Sequence, residues 1–285
     1  MALSDLRRSR RVVQSGLLVV MACVLAGAAP ADRPPSPPAP KRIVSLNLCA
    51  DQLVLALADR SQIAGLTRNA RDPQMSAAAD AARGLRLLGG SAEEVLAVDP
   101  DLVIGMPARR SPAIAVLKAQ NYRALDLTSA ESYADIVASI RSVAAAVGHP
   151  ARGAALIARM DAALAGLPRA RHRPVIAYYQ RRGFVTGTGT LVDELMTRAG
   201  AVNLAGRLGK PALAQVSLEE MTAARPDFLL VDKATERVTD QGTEMLHHPV
   251  LDGIPRIVLP QAWTVCGGPA YVDAARAISA AVAGR

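Results

Sequence analysis

A fourteen-residue pattern occurs twice in this chain and restricts the folds that are open to it. Residues 91–104 (SAEEVLAVDPDLVI) and 217–230 (SLEEMTAARPDFLL) share serine, two glutamates, alanine, proline and aspartate at a constant offset of 126 residues. The repeats of a solenoid return about every 20–50 residues. A single recurrence at this larger spacing therefore indicates two lobes of similar build.

Each copy predicts a short helix, a Pro-Asp turn and a buried strand. A serine N-cap followed by glutamate three residues later forms a capping box, in which side chains satisfy the free N–H groups of the first turn. The proline ends the helix, and the apolar run after it is typical of a parallel strand buried on both faces. The capping residues are Ser91 with Glu94 and Ser217 with Glu220.

The capping boxes leave the other glutamate of each copy, Glu93 and Glu219, without an assigned role. The helix dipole favours acidic side chains in the first turn of a helix. On spacing alone, two interpretations are therefore open: surface glutamates that complement a dipole, or exposed charges available to a partner.

The rest of the chain alternates strands with helices, which indicates α/β lobes with mainly parallel sheets. Two helical runs lie between the lobes, and the second of them would extend about 25 Å at 1.5 Å per residue. We therefore expect a single long helix to join the lobes. The expected boundaries are 42–148 for the N-terminal lobe, 149–168 for the connecting helix and 169–285 for the C-terminal lobe. Further strands are predicted at 42–46, 63–66, 123–127, 175–179 and 256–260, and helices at 51–58, 112–119, 132–147, 151–167, 191–199 and 269–283.

The first 41 residues predict export. Four arginines precede an uncharged run at 16–29, and small residues end this run. The pattern predicts a signal peptide over 1–31 and a periplasmic protein. Residues 32–41 (DRPPSPPAPK) form a Pro-rich linker that favours an extended conformation. Residues 9–13 resemble a twin-arginine signal, so the export route stays open. The residues around Cys23 resemble a lipoprotein box, so a lipid anchor at Cys23 is one alternative, and a retained N-terminal membrane anchor is another.

Composition argues against nucleic acid as a partner. The chain carries 33 Lys and Arg against 25 Asp and Glu, and the resulting net charge of +8 falls to +5 without the signal segment. Aromatic residues make up only 3% of the chain, which is too few for a surface that stacks bases. With 51% hydrophobic residues, the chain is able to bury sizeable cores, so disorder of the whole chain is excluded.

Motifs for catalysis and metal binding are missing from the sequence. The histidines, at 149, 172, 247 and 248, form no H-E-x-x-H pattern, and no G-x-S-x-G element is present. We therefore expect no catalytic residue, no metal site and no cofactor, and we expect a binding function. Ligands of open α/β sheets collect beyond the carboxyl ends of the strands, which selects residues 47–49, 68–72, 106–109, 180–184 and 261–266.

From Arg42 to the C-terminus, the chain resembles the periplasmic substrate-binding proteins of ABC importers for iron-siderophores and cobalamin. The resemblance rests on residues 42–58 (RIVSLNLCADQLVLALA), 93–104 (EEVLAVDPDLVI), 189–196 (GTLVDELM) with 200–204, and 266–269 (CGGP). It implies two lobes joined by one long helix with limited hinge motion, and a ligand held in the cleft between the lobes. It also implies one glutamate per lobe that docks on arginines of the permease, and these match Glu93 and Glu219.

The resemblance implies a non-enzymatic receptor. It would capture a metal chelate, either a ferric siderophore or cobalamin, and deliver it as a monomer to an ABC permease in the inner membrane. An exported enzyme of unknown reaction and a ligand-sensing interaction module remain the alternatives on the same fold.

The ligand-binding candidates come from the loops at the strand ends. Arginines there suit an anionic ferric chelate, and aromatic rings suit a flat chelate or a corrin ring. The alternative for each arginine is a solvated loop charge in an arginine-rich chain. The candidates are Asn47, Leu48, Cys49, Arg68, Arg71, Met106, Arg109, Tyr179, Arg181, Phe184 and Trp263, with Arg110, Arg182 and Tyr178 beside them.

Cys49 and Cys266 are both placed at the cleft by the strand-end rule, one from each lobe. A disulfide between them would hold the lobes together across the site, provided that their Cα atoms come within about 7 Å. A pair of thiols that contacts the ligand or a soft metal, and two unpaired buried cysteines, are the other interpretations.

Overall fold

The computed structural model describes residues 38–105 and 122–284. The predicted signal peptide, most of the linker and the helix predicted at 112–119 lie outside these residues. Five parallel strands form the N-terminal sheet in the order β3-β2-β1-β4-β5. They are β1 (Ile43–Ser45), β2 (Ile63–Thr67), β3 (Leu87–Leu88), β4 (Leu102–Gly105) and β5 (Ala124–Asp126).

A second parallel sheet forms the C-terminal lobe, with the strand order β11-β10-β6-β8. An antiparallel pair, β7 with β9, stands beside it and was not predicted from the sequence. The strands are β6 (Val175–Tyr178), β7 (Phe184–Thr186), β8 (Val202–Asn203), β9 (Leu213–Gln215), β10 (Phe228–Asp232) and β11 (Arg256–Leu259).

Helices connect the strands and cover the sheets. In the described residues they are α1 (Leu48–Leu57), α2 (Ala92–Val98), α3 (Tyr133–Ala146), α4 (Pro150–Ala165), α5 (Leu191–Arg198), α6 (Leu204–Arg207), α7 (Leu218–Ala224), α8 (Gln241–Glu244) and α9 (Tyr271–Ala283). None of the described helices is long and apolar enough to cross a bilayer.

The connecting helix α4 is tied to the lobe on either side of it. Near its start, the Arg152 guanidinium donates to the Leu57 carbonyl at 2.8 Å and pairs with Asp59 at 2.6 Å. Beyond its end, the Ala170 N–H donates to the Ala199 carbonyl at 3.0 Å, next to α5. The helix is therefore fixed at both ends.

Side chains alternate between two cores along the strands of each sheet, as the pleat requires. Along β6 and the residue after it, Ile176 and Tyr178 join one large core, whereas Ala177 and Tyr179 join a core restricted to the C-terminal lobe. The large core also contains residues of β1, β4, α3, α4, α5 and α9. The two lobes therefore share one continuous apolar core, and each lobe also has a smaller core of its own.

The repeated Pro-Asp turn makes the same contact in each lobe. In the first lobe, Asp101 donates its N–H to the Arg42 carbonyl at 3.0 Å, and its carboxylate accepts the Arg42 N–H at 2.8 Å. In the second, Asp227 donates its N–H to the Val175 carbonyl at 2.8 Å and accepts the Val175 N–H at 2.7 Å. The aspartate thus joins the turn to the start of the neighbouring strand, which explains its place in the pattern.

The two predicted capping boxes differ in the structure. Ser217 and Glu220 form the full reciprocal box. Ser91 also caps its helix, but Glu94 does not complete the box, because its carboxylate lies beside Gly89 near the Arg68 guanidinium. A Cβ on Gly89 would lie 2.7 Å from Glu94 Oε2, so the glycine makes room for this different position.

Candidate functional site

A disulfide joins Cys49, in the first turn of α1, to Cys266, in the loop before α9. The two Cα atoms are 5.3 Å apart, within the range that a disulfide requires. The bond connects residues 217 positions apart, one from each lobe. It therefore links the lobes covalently at the cleft.

A central cavity of about 360 Å³ opens beside the disulfide. Both lobes supply its walls, which are mostly hydroxyl, amide and aliphatic side chains. The charged residues among its described lining are both acidic, Glu131 and Asp232. Its polar lining comprises Thr128, Ser129, Glu131, Ser139, Tyr178, Gln180, Thr186, Thr190, Asp232, Gln261 and Thr264. The cavity is thus suited to a ligand that exchanges hydrogen bonds and carries no strong negative charge.

Tyr178 and Asp232 form a hydrogen-bonded pair in the wall of this cavity. They end the neighbouring parallel strands β6 and β10, and the Tyr178 hydroxyl donates to Asp232 Oδ1 at 2.9 Å. Burial raises the pKa of the Asp232 carboxyl, although the bond from Tyr178 opposes the shift. Burial, followed by the nearby carboxylate, raises the pKa of the Tyr178 hydroxyl, so that it stays a donor.

Two more cavities border the central one at Gln261, which lines all three. One, of about 620 Å³, lies between Gln74 of the first lobe and Lys233 and Arg237 of the second. The other, of about 420 Å³, is lined by Arg181 and Phe184. Together they form a cleft whose described basic residues lie toward one side of the central cavity.

The structure brings three of the candidate residues to this cleft. Cys49 lines the central cavity, and Arg181 and Phe184 line a neighbouring one. The Arg181 guanidinium pairs with Asp240 at 2.6 Å, so its charge is already balanced. Met106, Arg109 and Arg110 lie outside the described residues.

The structure places Tyr179 away from the cleft. Its ring is fully buried in the core of the C-terminal lobe, and its hydroxyl donates to the Val216 carbonyl at 3.2 Å. Burial raises the pKa of Tyr179 to about 12. Since successive strand residues point to opposite faces, Tyr178 lines the cavity instead.

The remaining candidates have local structural contacts. Asn47 caps α1 by accepting the Ala50 N–H at 3.0 Å, and Leu48 is the first residue of that helix. Arg71 donates to the carbonyls of Ala82 and Leu85, which holds the loop after β2. Arg68 lies near Gly89, Arg182 adopts a left-handed conformation with φ of 58°, and Trp263 lines a separate cavity.

The strand-end rule placed Gln180 and Gln261 in the segments 180–184 and 261–266, although neither was named as a ligand-binding candidate. Asp232, which ends β10, was missed. The rule was not used for Asp232, because the end of β10 was not predicted to reach that residue.

Glu93 and Glu219 occupy equivalent exposed positions in the first turns of α2 and α7. The pKa of each carboxyl is lowered by its own backbone N–H and then by the serine hydroxyl at the N-cap, Ser91 or Ser217. Both side chains are therefore ionised and exposed at neutral pH.

The family model described as periplasmic binding protein matches residues 43–256. The chain belongs to the periplasmic binding protein family. A periplasmic heme-binding protein from Roseiflexus sp. RS-1, in its ligand-free form, superposes with a TM-score of 0.68 at 28% identity over 85% of this chain and 99% of that chain. The vitamin B12-binding protein of Vibrio cholerae gives a TM-score of 0.61 at 17% identity over 85% of this chain and 96% of that chain.

A curated cobalamin-binding protein from Halobacterium salinarum is 23% identical over 205 residues, which is 70% of this chain and 56% of the relative. The chain thus spans about half the length of the curated relatives that it matches. The α/β fold with parallel sheets is therefore shared with solved two-lobed periplasmic binding proteins.

Proposed function

We propose that this protein is the substrate-binding component of an ABC importer and that its cargo is a corrinoid of the cobalamin type. The chemistry of the central cavity carries this proposal. Its described lining offers neutral donors and acceptors, with acidic residues as its only charges. The matching curated relative, which is itself a cobalamin-binding protein, supports the same choice.

A corrin ring carries carboxamide side chains around its edge, and each carboxamide both donates and accepts hydrogen bonds. The amides of Gln180 and Gln261 and the hydroxyls of the cavity provide both functions as well. A corrinoid is larger than any single cavity of the cleft, and the three cavities that share Gln261 would accommodate it together.

The lining of the central cavity disfavours the two other chelates. In this cavity a negatively charged ferric siderophore would face Glu131 and Asp232, a like-charge arrangement that costs binding energy, whereas the basic residues of the cleft line the neighbouring cavities. Heme needs an axial ligand from the protein, and no histidine lines the central cavity within the described residues. The Tyr178 hydroxyl that does line it is already bonded to Asp232.

Delivery to the permease would use Glu93 and Glu219. They stand at equivalent positions of the two repeated units, so one charge projects from each lobe. Charges placed in this way set the register and orientation of a complex more than its affinity. The predicted signal peptide fits a periplasmic site of action.

Titration of the oxidised protein with cyanocobalamin, the negatively charged ferric enterobactin and hemin tests the cargo. We expect saturable binding of cyanocobalamin at least tenfold tighter than binding of the other two. Gln180→Leu and Gln261→Leu should each weaken it, since each removes an amide from the cleft. Tighter binding of ferric enterobactin or hemin than of cyanocobalamin would overturn the corrinoid assignment.

A further inference from the structure

Two cavities of the cleft carry charges of opposite sign. Lys233 and Arg237 line the cavity of about 620 Å³, together with one acid, Glu236. The charged residues in the described lining of the central cavity are Glu131 and Asp232, which are both acidic. The cleft is therefore electrically polar, with its basic end at the larger cavity. Hydrogen bonds to the neutral carboxamides of a corrin ring do not account for that basic end.

Lys233 and Arg237 are both available to a ligand. Their side chains are exposed, and neither forms an ion pair within the part of the chain that the structure describes. Arg181, which lines the neighbouring cavity, is already paired with Asp240 at 2.6 Å. Among the described residues that line the three cavities, the unbalanced positive charge therefore lies on Lys233 and Arg237.

The backbone that carries these two residues is fixed. Lys233–Thr235 form a single 3-10 turn directly after β10. The Thr235 hydroxyl donates to the Asp232 carbonyl at 2.7 Å, and His247 Nε2 donates to the Thr235 carbonyl at 2.8 Å. Thr235, which lies between the two cations in the sequence, is only 6% exposed. The two basic side chains therefore extend from a buried anchor, and a ligand does not have to order the loop before it binds them.

The first lobe adds a neutral donor to the same cavity. Pro73 and Gln74 line it, and the Gln74 N–H donates to Asp72 Oδ1 at 2.9 Å, which holds the turn. The Gln74 side chain is exposed, and its amide carries two N–H donors. An anionic group in this cavity would therefore meet donors from both lobes.

We propose that Lys233 and Arg237 bind the phosphodiester of a complete corrinoid, with Gln74 as a further donor. This assignment rests on the corrinoid function proposed above. The phosphodiester of the nucleotide arm is ionised at neutral pH, whereas the carboxamides of the ring are neutral. Lysine and arginine bind phosphate oxygens through charge-assisted hydrogen bonds, which are stronger than neutral ones. The two residues would thus select a corrinoid with its nucleotide arm over one without it.

Cyanocobalamin and dicyanocobinamide test this selection, because the second has the same corrin ring and no phosphodiester. Isothermal titration of the oxidised protein measures both affinities. We expect cyanocobalamin to bind at least about tenfold more tightly. The double variant Lys233→Gln with Arg237→Gln should bind cyanocobalamin about five- to tenfold more weakly and keep its affinity for dicyanocobinamide. Raising the salt concentration from about 0.05 M to about 0.5 M should weaken cyanocobalamin binding by the wild type more than dicyanocobinamide binding.

The matched control is Arg141→Gln with Arg159→Gln, which removes two exposed positive charges on α3 and α4 outside the cleft. This variant has the same net charge as the test variant and should bind both corrinoids as the wild type does. Equal binding of the two corrinoids by the wild type, or an equal effect of the test variant on both, would overturn the phosphodiester assignment and leave the corrinoid function standing. Failure of both corrinoids to bind would instead overturn the proposed function, and the assignment with it.

Discussion

Tyr178 donates a 2.9 Å hydrogen bond to Asp232 across two parallel strands, at the point where both strands reach the cleft. The bond offsets part of the cost of burying the Asp232 carboxylate, whose pKa is nonetheless raised. It also commits the hydroxyl hydrogen to Asp232, so that the hydroxyl oxygen is left as an acceptor. The pair thus orients polar atoms where the proposed cargo would lie.

Tyr178→Phe should weaken cyanocobalamin binding by about five- to tenfold, the effect of losing one hydrogen bond of about 1 kcal/mol and its orientation. Isothermal titration at neutral pH measures this change. Tyr179→Phe is the matched control, because the neighbouring hydroxyl bonds to the Val216 carbonyl outside the cleft. The control should lose stability by about 0.5–1.5 kcal/mol and keep its affinity. Equal affinity of Tyr178→Phe and wild type would contradict this role for the pair.

Reduction of the Cys49–Cys266 bond should lower the free energy of unfolding by about 2–5 kcal/mol, since a long loop is released in the unfolded chain. Urea denaturation of oxidised and reduced protein measures the difference. The double variant Cys49→Ser with Cys266→Ser should match the reduced protein and show no further response to reductant. Thiol titration must find two additional thiols after reduction; an unchanged thiol count would exclude the bond.

Asp51 should make stability depend on pH in the acidic range. It is fully buried in α1, and its carboxylate accepts from the Thr67 N–H at 3.1 Å and hydroxyl at 2.5 Å. Burial outweighs these bonds and raises the pKa of the Asp51 carboxyl above its ordinary value of 3.8. The protonated Asp51 carboxyl therefore contributes fully to the free energy of unfolding below pH 3.8. This contribution is lost as the pH rises through the pKa of Asp51 in the folded protein.

Asp51→Asn lacks this titration, so its stability relative to wild type should increase between about pH 3 and pH 7. Urea denaturation across that interval gives the slope of the stability difference against pH. A stability difference that is the same at every pH does not change this slope. Asp135→Asn is the contrasting control, because the Ser132 hydroxyl lowers the pKa of Asp135 and its contribution is lost as the pH falls. A flat or reversed slope for Asp51→Asn would refute the burial effect.

Combined replacement Glu93→Ala and Glu219→Ala should abolish uptake while cyanocobalamin affinity is retained, because both residues lie on exposed helix starts. Labelled cobalamin uptake by cells that carry only the variant measures the first effect, and titration of purified protein the second. Glu244→Ala, an exposed glutamate on α8, is the control for a lost surface charge. Normal uptake by the double variant would remove the docking role.

Much of the fold followed from local patterns that the structure retains. The repeat predicted the helix, turn and strand of each lobe, because N-caps and proline act over a few residues. The contact of Asp101 with Arg42 was not predictable, since it joins positions 59 residues apart in the sequence. The antiparallel pair β7 and β9 was not predicted for a similar reason, because its strands are short and are separated by two helices.

The site was less predictable than the fold. The segment at 175–179 is apolar throughout, and a strand buried on both faces has no alternation to show which tyrosine faces the cleft. Arg71 matched a ligand-binding arginine by position, but the loop after β2 needed donors for its carbonyl groups. Gln180 and Gln261 lie in segments that the strand-end rule selected, but they belong to no motif, so the sequence did not distinguish them from their neighbours in those segments.

The apolar interior that runs through both lobes has a thermodynamic consequence. Ile43 of the first sheet and Ile176 of the second belong to the same core, together with residues of the helices between them. Neither sheet can lose its packing without exposing the apolar surface of the other. The two lobes should therefore melt together as one cooperative unit, with a single calorimetric transition, although the chain repeats its local pattern as if it contained two domains.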